Sequence, residues 1–87
     1  MLNEYMVVGS QLGDSLSSWV RWVEAETAED AVRGILENCD FHPVRPTPVI
    51  HAVFEIFPAG KPKHMQVRWF EIMTEIRDKK ARERNTV

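Results

Sequence analysis

The chain has 87 residues, of which 44% are hydrophobic and 28% charged, with a formal net charge of −2. That size supports one α+β domain over residues 1–87 and excludes a chain divided into several cores. Its longest apolar run falls far short of the ~20 residues of a membrane span, and Met1-Leu2-Asn3-Glu4 lacks a signal-peptide pattern, so a cytoplasmic protein with no membrane partner is expected. The single cysteine, Cys39, excludes an internal disulfide.

Charge is divided unevenly. Residues 1–40 hold eight acidic and two basic side chains, a balance of −6, whereas 41–87 hold nine basic and five acidic, a balance of +4. Such asymmetry marks a face for a charged partner or draws the two halves together.

Leu2 to Ser10 is predicted as the first strand, because an apolar run there is bounded by Gly9-Ser10 and Gly13-Asp14. Leu16 to Ala25, rich in tryptophan and valine, is the second, hairpinned to the first through a loop longer than two residues. Thr27, followed by Glu29 and Asp30, supplies a hydroxyl cap and carboxylates for a helix from Ala28 to about Asn38. Ala28, Ala31, Val32, Ile35, Leu36 and Cys39 form its apolar stripe. Gly34 inside it reflects either a close approach or simple tolerance.

Pro43, Pro46 and Pro48 make 41–48 an extended connector. Val49 to Phe57 reads as a third strand, closed by 58–62. Pro62 suits a helix's first turn, and Met65, Trp69, Ile72, Met73 and Ile76 then share one face of a long final helix reaching Arg84. Residues 65–73 also alternate as a strand would, but neither strand face would be cleanly polar. The order is β-β-α-β-α: a three-stranded, mainly antiparallel sheet with strand one central and both helices on one face.

Helices on one face leave the other bare, yet both faces of strands two and three carry large apolar groups. An uncovered aromatic and aliphatic patch marks a protein contact. The candidate protein-binding residues are Trp22 first, then Val20, His51, Val53 and Phe57, and a homodimer is the simplest form of such a contact. The alternative partner is nucleic acid, held by the basic end of the last helix: Arg77, Lys79, Lys80, Arg82 and Arg84. Against it, Asp78 and Glu83 are interspersed, Glu75 can pair with Lys79, and cations belong at a helix C-terminus.

No metal or other cofactor is expected. Cys39 and His42 stand in C-x-x-H spacing beside Asp40, but His51 and His64 have no matching spacing to complete four ligands. No phosphate loop, nucleophile elbow or H-E-x-x-H helix occurs, so no enzyme activity is expected.

The stretch from Trp19 to Val32, a strand running into a capped helix, resembles segments of small accessory proteins encoded by bacteriophages and their hosts. The resemblance implies a protein that occupies the surface of a host or phage macromolecule, such as an inhibitor of a host defence system. It carries no catalytic motif and transfers no functional residue.

Overall fold

The computed structural model describes residues 2–12, 16–39, 48–57 and 60–85. The hairpin loop 13–15 and most of the proline-rich connector, including Asp40 and His42, lie outside the described residues. Six elements follow one another: β1 (Asn3–Leu12), β2 (Leu16–Ala25), α1 (Ala28–Glu37), β3 (Val49–Ile56), β4 (Lys63–His64) and α2 (Trp69–Asn85).

The fold is α+β, but the sheet has four strands, in the order β2-β1-β3-β4, with every neighbouring pair antiparallel. β1 is central, as its apolar run requires, and pairs with β2 without a break from Asn3 opposite Ala25 to Leu12 opposite Leu16. β2 and β3 are thus parallel with β1 between them, and α1 lies in the connection that joins them.

Thr27 caps α1 as its sequence dictates, with an extended backbone and its Oγ1 accepting from the Asp30 amide at 3.1 Å. Ala28, Ala31, Val32 and Leu36 are buried, and Ile35 packs against them. They meet Tyr5, Val7, Ala25, Ile50 and Val53 from the sheet and Ile72, Met73 and Ile76 from α2 in one core. The molecule measures 49 × 31 × 17 Å, its least dimension being one layer of helix on one of sheet.

Two sequence expectations are corrected. The segment from Pro62 to Arg68 is not helical: Lys63 and His64 form β4 against Glu55 and Phe54, and the Met65 amide donates to the Val53 carbonyl at 2.8 Å. Met65, Val67 and Trp69 pack toward the core while Gln66 and Arg68 point out. Met65 and Trp69 are four apart, a spacing that satisfies a period of two and a helical turn equally, and so the two patterns coincided there.

The second correction concerns β3. Gly9 opposes Ile50 and Val8 opposes Ala52, which leaves His51 as one extra residue in β3. The bulge shifts the alternation, so Ile50 and Val53 face the helices together although they are three residues apart. Val53, expected on the uncovered face, is 2% exposed and belongs to the core.

Candidate protein-binding face

Pairing register assigns each side chain to a face, since directly opposed residues point the same way. Tyr5, Val7 and Gly9 of β1 look toward the helices, so Met6, Val8 and Ser10 look away. Met6 is flanked by Trp22 on β2 and Phe54 on β3, and Phe54 in turn by His64 on β4. One unbroken row, Trp22, Met6, Phe54 and His64, therefore crosses all four strands. The ring centroids of Phe54 and His64 stand 5.4 Å apart, edge to face.

A second row, Val20, Val8 and Ala52, lies beside it. Beyond the first row Glu24, Glu4 and Ile56 make a third, placing two exposed carboxylates at one end of the apolar surface. Met6, Val8, Ala52, Phe54 and Ile56 are half-buried by their neighbours, whereas Trp22 is 61% and Val20 49% exposed. Exposure is thus concentrated on β2, the strand at the sheet's edge.

The residues expected from sequence divide accordingly. Val20 and Trp22 stand together on the uncovered face. Val53 is in the core, and the exposed Phe57 follows β3 in phase with it rather than with Phe54. The members that sequence reasoning passed over are Met6, Val8, Phe54 and Ile56. Tyr5-Met6-Val7-Val8 is apolar at every position, so no alternation marks which of these side chains look out, and only the register carries the face across the sheet.

His51 is exposed at the bulge, and its Nε2 lies 2.8 Å from the Oγ of Ser10, which is itself only 4% exposed. A hydroxyl beside an imidazole is the geometry of an activated nucleophile, but a hydroxyl so enclosed is closed to substrate. The contact instead satisfies a buried polar group. His51 and His64 both line a shallow recess of about 120 Å³ along the β3 edge, with Gln66 and Trp69. Cys39, at the end of α1, donates from Sγ to the Ile35 carbonyl at 3.2 Å. Among the described residues no three His, Cys, Asp or Glu side chains are grouped to hold a metal ion.

The basic end of α2 is organised differently from a phosphate-binding row. Lys80 Nζ donates to the backbone carbonyls of Glu37, at 3.1 Å, and Cys39, at 3.3 Å, closing the C-terminus of α1. Arg77 is half-buried, Lys79 and Arg82 are exposed, and the Arg84 side chain lies outside those described. Among the described residues no helix is long and apolar enough to cross a membrane. Comparison with protein-family models, curated proteins and solved structures found no match to this chain.

Proposed function

We propose that this chain is a small non-enzymatic binding module that acts by seating another protein on its uncovered sheet face. The observation that carries the reading is the pair of apolar rows, Trp22-Met6-Phe54, bordered by His64, and Val20-Val8-Ala52, spread over three strands opposite the helices. Contiguous apolar surface of this kind, with polar residues at its border, is the usual anatomy of a protein contact, and a tryptophan at its exposed side supplies a natural anchor. The resemblance to phage accessory proteins would make the partner a host regulatory or defence protein and the chain its inhibitor.

The test is retrieval of a partner from cells of the source organism by chemical crosslinking, with variants compared in parallel. Trp22→Glu and Val8→Glu place a charge in the apolar rows and abolish retrieval; Lys79→Glu with Arg82→Glu leaves it intact. The opposite pattern, or retrieval of nucleic acid lost on reversing those two cations, overturns the reading in favour of the basic helix end.

A further inference from the structure

The two edges of the sheet are built differently. β4 is two residues long, begins with a lysine and follows a proline, the devices by which soluble proteins blunt an edge. β2 is ten residues long, about 33 Å at the usual rise, contains no proline or lysine, and pairs with β1 free of any bulge. Among the described residues no strand lies along its outer side, which leaves a row of backbone donors and acceptors facing solvent. The two most exposed apolar side chains of the open face, Trp22 and Val20, are on this same strand.

From these features we infer that β2 pairs antiparallel with β2 of a second copy, about a two-fold axis normal to the sheet, giving one continuous eight-stranded sheet. The inference deepens the binding reading above and rests on it for the role of Val20 and Trp22. The strand's own sequence selects the register. An axis normal to the sheet opposes residues of the same face, so each register is named by the residue that meets its own copy.

Arg21 on the axis would set two guanidinium groups directly opposite one another, which is unfavourable. Trp22 on the axis shortens the ladder to the seven residues from Trp19 to Ala25 that both strands share. Val20 on the axis pairs the nine residues from Leu16 to Glu24, opposes no like charges, and sets Arg21 of each copy opposite Trp19 of the other. Arg21 already lies over the Trp19 ring of its own strand, 5.7 Å from the centroid, so in this register each cation keeps its own aromatic contact and meets no second cation. Helices of both copies then share one side, and the Val20-Val8-Ala52 rows of the two open faces meet across the axis, while Trp22 of each copy stands opposite Ser18 of the other.

The full chain is tested by light scattering behind size-exclusion chromatography, and by single cysteines placed on a Cys39→Ser background with a short bifunctional thiol crosslinker. The expected mass is twice the 10.1 kDa of one chain. Val20→Cys is linked across the axis, Trp22→Cys is not, and Val8→Cys, in the middle of the open face, is not. A monomer at every concentration overturns the pairing; linkage through Trp22→Cys overturns the register; linkage through Val8→Cys shows faces stacked on one another and overturns the edge contact. A monomer that still retrieves its partner refutes this inference alone, whereas a doubled mass with retrieval insensitive to Val8→Glu refutes the binding reading alone.

Discussion

The indole of Trp19 lies across the backbone of Gly9, its opposite residue on β1, so closely that a Cβ there would stand 2.5 Å from one ring carbon and 2.6 Å from the next. The carbonyl oxygen of Val49 would be 2.8 Å away on the other strand. Glycine at this position is thus required by space, at the point where the bulge begins. Gly9→Ala must displace both a half-buried indole and a strand, and overpacking of that order costs about 1–3 kcal/mol. Urea denaturation followed by circular dichroism reads the loss directly; a midpoint equal to that of the wild type would show that Trp19 can swing away freely.

Gly34 is the opposite case. It sits inside α1, and a Cβ added there meets nothing within 4 Å. The close-approach explanation open from sequence is thereby removed. Gly34→Ala should raise stability by about 0.5–1 kcal/mol, the helix-interior difference between the two residues. Thermal unfolding checks this, and a lower Tm would contradict it.

Lys80 separates from its neighbour Lys79 in the same way. The first donates to two carbonyls at the end of α1, while the second is exposed on α2. Lys80→Met leaves the Glu37 and Cys39 carbonyls without that cation and is expected to cost about 1 kcal/mol, whereas Lys79→Met stays within about 0.5 kcal/mol. Equal effects of the two substitutions in chemical denaturation would refute the assignment.

Met73 and Trp22 test the division of the molecule into a filled and an unfilled side. Met73 is fully buried from α2, and Met73→Ala is expected to cost about 2–5 kcal/mol by opening a cavity. Trp22→Glu, on the open face, is expected to change stability by less than about 1 kcal/mol despite the larger residue lost. A cost of several kcal/mol for Trp22→Glu would place it in the core instead.

Much of this architecture was legible in the sequence, and the reasons are local. β2 runs from Leu16 to Ala25 and α1 begins at Ala28 as read, because turn residues bound the strand and Thr27 with Asp30 favours a helix start. A central first strand also follows from its apolar run and the hairpin. What was not legible depends on partners distant in sequence. β4 exists because Lys63 and His64 meet Glu55 and Phe54, and two exposed residues have no periodicity to announce them. The phase of β3 was hidden because a bulge is a property of two strands together. Of the open face, Trp22 and Val20 could be named from β2 alone, while Met6, Val8 and Phe54 required the register.

The extra residue in β3 changes how the strand reads as a count. In a regular strand, removal of one residue throws every later side chain to the wrong face. Here Gly9 opposes Ile50 and Val8 opposes Ala52, so excising His51 would leave those two pairs adjacent and in ordinary alternation, with Ile50 and Val53 still turned to the helices. The loss would fall on Ser10, whose hydroxyl would be left buried without its imidazole. His51 is therefore the one position in β3 where the chain can be shortened without rephasing its core, and the spare residue serves a polar group on the neighbouring strand instead of the ladder itself.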